Sequence, residues 1–284
     1  MTTVGGIGES KLVELIKPYL AKQAGGDDAA LLDPVDAYEV VSTDMAIEGV
    51  HFDLSWMSAE DAGWRALALA LGDLAAKGAY PHWALASLAV PRQWKTEDFA
   101  GLFKGMHELA SRFAMSIVGG DMGAIEGPAV LSLTVGGFTD DVPLPRSAAE
   151  AGWAVGVTGP LGKSAVALRE RRVLRPEPLI QKGMELNALG ICCGDISDGL
   201  VREMEKFAAM SGVGSTIRAA DVPCAAGASV TDALTSGEEV ELVCAGPPAA
   251  VERAGLHVVG MMVDGGRVEV VGAHLDSTGY DHFA

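Results

Sequence analysis

The chain has 284 residues, 49% hydrophobic and 21% charged, a composition that excludes a disordered protein and leads us to expect two domains. The formal net charge of −17 argues against a general nucleic-acid binder, which would carry a basic face. No charge-free apolar stretch approaches the roughly 18 residues that span a bilayer, and no signal pattern opens the chain, so we expect a cytoplasmic protein with no membrane partner.

Helix and strand patterns alternate in the first half of the chain. Helices are predicted over 8–20, 58–79 and 96–114, the last two with N-caps at Ser58 and Thr96 and the middle one ending near Gly78. Strands are predicted from runs of apolar and β-branched residues, over 28–33, 38–45, 83–91, 116–121 and 129–138.

Prolines and charges interrupt this pattern at 140–152, where we place a boundary between domains 1–140 and 141–284. The second half again alternates strand and helix, which indicates an α/β or α+β layer domain. Its predicted segments are 153–159, 163–171, 176–190, 191–197, 198–212, 214–219, 239–244, 247–255, 257–263 and 267–271.

Aspartates recur beside glycine at the ends of predicted strands. They are Asp27, Asp28, Asp44, Asp121, Asp195 and Asp198. Carboxylates in such places are accessible yet rigid, as Mg²⁺ requires, with phosphates or water completing its octahedron. A turn or a helix cap explains any single one, including an N-cap at Asp198, but the repetition favours a magnesium site.

Asp73 lies inside ALALALGDLAAKGA, a helix otherwise built from Ala and Leu. An unpaired carboxylate buried there would cost several kcal/mol. Either Asp73 pairs with Lys77 at i+4 on the surface, or the helix presents it to a cation-filled pocket. The spacing leaves both interpretations open.

Other candidate motifs are weaker. GVTGPLGKS (156–164) ends like a phosphate-binding loop but has one residue too many before GKS, so we interpret it as a strand–turn–helix connection with Lys163 solvated. His51 could contact a polar substrate and Arg146 could grip a phosphate. A structural histidine and a solvated linker arginine are the alternatives. No nucleophilic triad is recognisable.

The four cysteines form no C-x-x-C pair, which argues against a zinc site or a redox dithiol. We expect buried free thiols at all of them. They are Cys192, Cys193, Cys224 and Cys244.

Taken in order, a series of segments resembles the thiamine-monophosphate kinase family, in the superfamily of aminoimidazole-ribonucleotide synthetase and selenophosphate synthetase. The segments are GGDDAALL, VSTDMAIEGVHF, LALGDLAAKGA, IVGGDMG, LPRSAAEAGWAVGVTGPLG, RPEPLIQKG, GDISDGL, SGEEVEL and GYDHF. The resemblance implies transfer of the γ-phosphate of ATP to thiamine monophosphate, in line and assisted by several Mg²⁺ ions. It also implies a two-domain fold, a homodimer formed through strands of the first domain, and nucleotide bound in the cleft between domains.

The resemblance assigns site residues by position. The metal ligands would be Asp28, Ser42, Thr43, Asp44, Asp73, Asp121, Asp195 and Asp198. The ATP contacts would be Gly120, Asp121, Arg146 and Ser197. The contacts to thiamine monophosphate would be His51, Glu238 and Tyr280. No general base is needed, because the acceptor phosphate, with a second pKa of about 6, is largely ionised at neutral pH.

The segment SGEEVEL departs from the family pattern SGGEDYEL by one missing glycine and by Val240 in place of tyrosine. Glu239 is therefore an alternative to Glu238 as the substrate contact. A superfamily member with a shifted substrate, and a paralogue that binds Mg-nucleotide without turnover, are the alternative functions. Selenophosphate synthetase would need a reactive Cys or selenocysteine near the N-terminus, and MTTVGGIGES has neither.

Overall fold

The structure, a computed structural model, describes residues 30–32 and 37–283. Asp27, Asp28 and the helix predicted over 8–20 lie outside these residues. The strands are β1 (Ala30–Leu32), β2 (Tyr38–Ile47), β3 (Tyr80–Pro91), β4 (Ser116–Ile125), β5 (Val130–Thr139), β6 (Ala154–Val157), β7 (Cys192–Ile196), β8 (Gly214–Arg218), β9 (Glu239–Gly246), β10 (His257–Val263) and β11 (Val268–Val271). The helices are α1 (Ala59–Ala76), α2 (Thr96–Arg112), α3 (Lys163–Glu170), α4 (Ile180–Ala188), α5 (Leu200–Ser211), α6 (Val230–Thr235) and α7 (Pro248–Arg253).

The first sheet has the strand order β1-β2-β5-β3-β4. Its neighbours are antiparallel except for β3 and β4, which run parallel. One face packs against α1 through residues such as Leu133 and Val135. The other face exposes large apolar side chains, namely Met45, Tyr80, Leu85 and Phe138.

The second sheet has the order β11-β8-β10-β6-β9-β7, antiparallel except for β11 beside β8. Its strand β9 is buried along its whole length, so alternate residues serve two cores. Val243 packs with Phe207 in the core beneath α5, whereas Leu242 and Cys244 face the core that includes α1. The two-domain α/β (α+β) fold is thereby confirmed, while the boundary at residue 140 stays a prediction.

Helix α1 lies between the two sheets. Its N-cap, Ser58, accepts a hydrogen bond from the backbone N–H of Asp61, as the sequence predicts. The helix contacts α2, β2 and β5 of the first half and β7, β9 and α4 of the second. A helix with Ala and Leu on nearly all faces is stable only when it is surrounded by protein, so this composition explains its central place.

Several predicted boundaries were wrong. The N-cap of α2 is Lys95, and Thr96 is the first helical residue. Asp44 and Asp121 lie inside strands, because β2 and β4 run on past them. The short helix α6 was missed, although its Ser229–Asp232 capping box is a recognisable start signal.

Candidate active site

Acidic side chains from both halves of the chain converge where α1 passes between the sheets. Ser42 on β2 donates a hydrogen bond of 2.5 Å to Asp73 on α1. The preceding residue of the helix, Gly72, faces β7 so closely that a Cβ there would lie 3.1 Å from Oδ2 of Asp195. Ser42, Asp73 and Asp195, three of the predicted metal ligands, thus surround one end of α1.

Asp44 opens onto this cleft beside Ser42. The residue as a whole is exposed at this cleft, yet the protein around its carboxyl excludes water and raises the pKa of that group, and the negative charges of Glu238 and Asp198 raise that pKa further. The backbone N–H of Met45, at 2.8 Å, and the nearby His51 act in the opposite direction. Carboxylates from three separate chain segments therefore repel one another here, an arrangement that a bound cation would relieve.

Asp198 is not a helix cap, which corrects the alternative considered from the sequence. The N-cap position of α5 is Gly199, and no side chain caps it. Instead, Oδ2 of Asp198 accepts a hydrogen bond from Nζ of Lys206 at 2.8 Å. Its backbone carbonyl accepts the N–H of Tyr280 at 2.9 Å, which ties the C-terminal tail to the cleft.

Arg146 and Ser197, the predicted ATP contacts of the second half, meet at one buried glutamate. Arg146 donates to Glu203 at 2.8 Å, and the Ser197 hydroxyl donates to the other carboxylate oxygen at 3.2 Å. Arg146 is 1% exposed, so it is not a solvated linker residue. It lies against Gly194, where a Cβ would come within 2.7 Å of its Nη2.

His51 is held in one orientation by the backbone. The N–H of Ile47 donates to its Nδ1 at 3.0 Å. Burial is the main cause that lowers the pKa of His51, so the ring is neutral at pH 7 and carries its proton on Nε2. Its ring lies 5.2 Å from that of His282, which in turn meets the ring of Tyr280 edge-on at 4.8 Å. Two predicted substrate contacts, His51 and Tyr280, thus share one wall of the cleft.

The two candidate glutamates of SGEEVEL have different places. Glu239 is 1% exposed and accepts the N–H groups of Gly162 and Ser164, at 3.1 and 2.9 Å, at the start of α3. A phosphate-binding loop would use these two backbone N–H groups to bind a phosphate. Here they bind the Glu239 carboxylate instead, which agrees with the interpretation of GVTGPLGKS as a strand–turn–helix connection. Glu238 instead faces the cleft and pairs with Arg65 on α1. Of the two, Glu238 is the more accessible side chain, and its role as the substrate contact stays a prediction.

Arg65 was missed in the sequence. It is a single charged residue in an apolar helix, the same signal that singled out Asp73, and it is buried. The surface location considered for Asp73 and Lys77 is excluded, because Lys77 is fully buried. Its Nζ donates to the carbonyl of Cys193 at 3.1 Å. Lys163 is not freely solvated either, since it pairs with Glu241 at 2.6 Å.

Three of the predicted site residues do not line this cleft in a single copy of the chain. They are Gly120, Asp121 and Thr43. The residue beside Asp44 across the sheet is Leu133, followed by Ala86 and then Gly120. Three strand spacings separate Asp44 from Gly120, about 14 Å. Asp121 and Thr43 are exposed, and Thr43 accepts a hydrogen bond from Thr134 at 3.2 Å. Their predicted roles stay predictions.

The fit of the cleft to Mg²⁺ rests on the chemistry of its donors. Within residues 30–32 and 37–283, no group of three or more His, Cys, Asp or Glu side chains is already arranged to hold a metal ion. Proteins usually bind Mg²⁺ through one or two carboxylates plus phosphates and water. The crowded carboxylates of Asp44, Asp198 and Glu238 fit that pattern. In the same described range, no helix is long and apolar enough to cross a membrane.

Comparison with known proteins gives a consistent result. Residues 26–139 match the family described as AIR synthase related protein, N-terminal domain. A thiamine-monophosphate kinase of Rhodopirellula baltica is 32% identical, with 79% of this chain and 76% of that protein covered. The corresponding kinase of Mycobacterium tuberculosis is also 32% identical, with 98% of this chain and 91% of that protein covered.

Among solved structures, AaThiL complexed with AMPPCP and TMP superposes with a TM-score of 0.88 at 27% identity, covering 99% of both chains. The superposition therefore covers both sheets. On the identity and coverage shared with the curated relatives, the chain belongs to the thiamine-monophosphate kinase family.

Proposed function

We propose that this protein transfers the γ-phosphoryl group of ATP to thiamine monophosphate, giving thiamine diphosphate and ADP. Membership of the family supports this proposal, as does the likeness to a relative whose structure holds AMPPCP and TMP. The observation that carries it is the convergence of Asp44, Asp198 and Glu238 in one cleft. An acidic cleft serves two anionic substrates only when cations mediate their binding.

Several Mg²⁺ ions are part of the proposal. Asp44, Asp73, Asp195 and Asp198 would hold them, together with Asp28, Ser42 and Thr43 as the family resemblance implies. When bound, Mg²⁺ neutralises charge on the phosphates and on the transferring group. The hydrogen bond from Ser42 fixes one carboxylate oxygen of Asp73, and Lys206 does the same for Asp198.

We propose direct in-line transfer without a phosphoenzyme, because phosphoryl transfer depends mainly on positioning and on charge stabilisation. Ser197 and Arg146 would hold the nucleotide side. His51, with its proton on Nε2, would donate to the acceptor, and Glu238 and Tyr280 would contact the thiamine part. No residue needs to remove a proton from an acceptor that is already ionised.

The chain is also proposed to form a homodimer through the exposed face of the first sheet. Met45, Leu85 and Phe138 on that face are 38 to 51% exposed, and a cluster of exposed large apolar side chains is typical of a protein interface. Gly120 and Asp121 would then contribute at the junction of two copies. Analytical ultracentrifugation tests this: a dimer is expected, and a Leu85→Lys variant is expected to sediment as a monomer.

The activity is tested by incubation with ATP, Mg²⁺ and thiamine monophosphate, with thiamine diphosphate measured by chromatography. Asp44→Asn is expected to abolish product formation while circular dichroism stays unchanged. Asp140→Asn, the same change at an exposed position, is expected to keep full activity. Wild-type turnover by Asp44→Asn would contradict the assignment. If calorimetry shows that the protein binds nucleotide but no candidate substrate is converted to product, the result would favour a non-catalytic paralogue.

A further inference from the structure

Two buried cysteines face each other across neighbouring strands of the second sheet. Cys193 on β7 is the register partner of Cys244 on β9, and the two strands are antiparallel. Their Sγ atoms lie 2.7 Å apart, whereas Sγ of Cys193 lies 3.9 Å from the carbonyl oxygen of Ile191. Both thiols are free, and the two residues are 2% and 0% exposed. The closest polar neighbour of each sulfur is therefore the other sulfur.

The backbone at this pair has the geometry that a disulfide requires. Residues directly opposite each other on antiparallel strands have Cα atoms about 4.5 or 5.5 Å apart, and disulfides form at Cα separations of about 4.4–6.8 Å. Cys193 and Cys244 also point into the same core, the one that includes α1. The two sulfurs would need to approach each other by less than about 1 Å to reach bonding distance, so no rearrangement of the strands is required.

The other two cysteines cannot take part in this bond. Cys192 precedes Cys193 on β7, and successive residues of a strand point to opposite faces. Its side chain accordingly lies in the core beneath α5, where Sγ donates to the carbonyl of Ala245 at 3.3 Å. Cys224 is exposed and lies outside both strands. The geometry thus selects one pair, whose members are 51 positions apart and so escape a search for C-x-x-C.

We propose that Cys193 and Cys244 are an oxidation site, a dithiol that hydrogen peroxide converts to an intramolecular disulfide. The Cys193 sulfur attacks the peroxide, the O–O bond breaks, and a sulfenic acid and one water form. The Cys244 sulfur then attacks the sulfenic sulfur, so that an S–S bond forms, the S–O bond breaks and a second water leaves with the Cys244 proton. Two thiols lose two electrons in all, and one peroxide is reduced to two waters.

The order of these two steps follows from the position of the strands. Strand β7 is the edge of the second sheet, whereas β9 lies between β6 and β7. Local opening of the edge exposes Cys193 first, and a small oxidant needs less opening than a bulky disulfide reagent. Because both thiols are buried, the reaction is slow, and the finished bond is shielded from reductants.

The bond would close a loop that carries candidate site residues of the second half. The segment 193–244 contains Asp195, Asp198 and Glu238. A cross-link between its two ends restricts the unfolded chain and so stabilises the folded protein. The oxidised protein is therefore expected to keep its fold and to unfold at a temperature higher by about 5 °C or more. None of this depends on the proposed activity.

The test uses the full-length Cys224→Ser variant, which lacks the exposed thiol and so cannot form bonds between chains there. The reduced variant is treated in its native state with hydrogen peroxide, quenched with catalase, denatured and alkylated. The untreated sample is expected to take three alkyl groups and the treated sample one, on Cys192. Mass spectrometry of non-reduced peptides is expected to show the peptides of Cys193 and Cys244 joined, with a loss of two hydrogens.

Matched variants assign the effect to this pair. Adding Cys193→Ala or Cys244→Ala is expected to abolish both the cross-link and the rise in unfolding temperature on oxidation. Adding Cys192→Ala, the same change at the neighbouring buried position, is expected to leave both unchanged. If one of the alanine variants does not fold, the joined peptides in Cys224→Ser identify the bond without it.

Several results would overturn the proposal. Alkylation of all three thiols after peroxide shows that no bond forms. A bond that includes Cys192 contradicts the strand register, and oxidation of Cys193 to a sulfinic acid without a cross-link shows that Cys244 does not reach it. A cross-link that leaves the unfolding temperature unchanged refutes the stabilising role. A protein without kinase activity would contradict the proposed function and would leave each of these results unaffected.

Discussion

Ser42 on β2 and Asp73 on α1 are joined by a hydrogen bond of 2.5 Å that ties the strand to the helix at the cleft. The bond explains why a carboxylate is tolerated in a helix built from Ala and Leu. It also orients Asp73 before any ligand arrives, since the hydroxyl occupies one carboxylate oxygen. Pre-organisation of this kind lowers the cost of binding.

Ser42→Ala is therefore expected to reduce activity without unfolding the protein. Loss of one hydrogen bond to a carboxylate costs about 1.5–3 kcal/mol at most in the free energy of unfolding. Removal of an orienting partner typically lowers metal affinity or activity about 10-fold or more. Urea denaturation measures the free energy of unfolding, and the rate of product formation measures the activity. Ser132→Ala, on the neighbouring strand β5, is the control, and an unchanged rate in Ser42→Ala would refute the orienting role.

Glu239 and Glu238 are expected to respond in opposite ways to substitution. Glu239→Ala removes the acceptor for two backbone N–H groups at the start of α3, so stability is expected to fall by about 1–3 kcal/mol per unsatisfied donor. Glu238→Gln keeps an acceptor for the buried Arg65 but removes its counter-charge, so a smaller loss of stability is expected, together with weaker binding of thiamine monophosphate. Denaturation and substrate titration of each variant provide the check. The reverse result would make Glu239 the substrate contact.

Because of the capping box of α6, the free energy of unfolding is expected to change with pH in the acidic range. Arg169 is the largest cause that lowers the pKa of Asp232 to about 2, from 3.8, with hydrogen bonds from Ser229 in addition. A depressed pKa means that this stabilisation is complete above about pH 4 and is lost as pH falls towards 2. Asp232→Ala is expected to lower the free energy of unfolding by about 1 kcal/mol at pH 7.

This difference between wild type and Asp232→Ala is expected to narrow between pH 4 and pH 2. Thermal or urea unfolding at several pH values measures it. Asp264→Ala, at an exposed turn, is the control and should show no such trend. A difference that stays constant down to pH 2 would show that the carboxylate charge contributes nothing there.

The cysteines are expected to differ sharply in reactivity. Cys192, Cys193 and Cys244 are buried, and burial raises the pKa of Cys192 to about 12, so little thiolate forms. Cys224 is exposed, contrary to the expectation of buried thiols throughout. A thiol reagent should label one site quickly in the native protein and all four in denaturant, as read by mass spectrometry. Cys224→Ser should remove the fast reaction, and rapid labelling of Cys192 would contradict the fold.

The sequence predicted those parts of the fold that depend on local signals. The cap at Ser58, the Ala and Leu run after it and the apolar strand at 239–244 were sufficient to locate α1 and β9. Helix α6 was missed because six residues are too few to show a periodic pattern. The run of β2 beyond Asp44 was also missed, since nothing local ends or extends that strand.

The site was predictable only where a residue is unusual in its own neighbourhood. Asp73 stood out against an apolar helix, and so did the paired aspartates of GDISDGL. The partner of Arg65 lies 173 positions along the chain, so no local pattern indicates it. The same is true of Lys206 beside Asp198, because a contact across a loop and a helix depends on how these two elements pack.

The position of α1 has a consequence for synthesis of the protein. Part of this helix is covered by α2, β2 and β5 of the first half, but another part is covered by β7, β9 and α4, which are all translated later. A nascent chain that has released only the first sheet therefore leaves a row of Ala and Leu side chains open to water. We expect the amino-terminal half to depend on chaperones until the rest is translated. The two sheets would then complete their folding together.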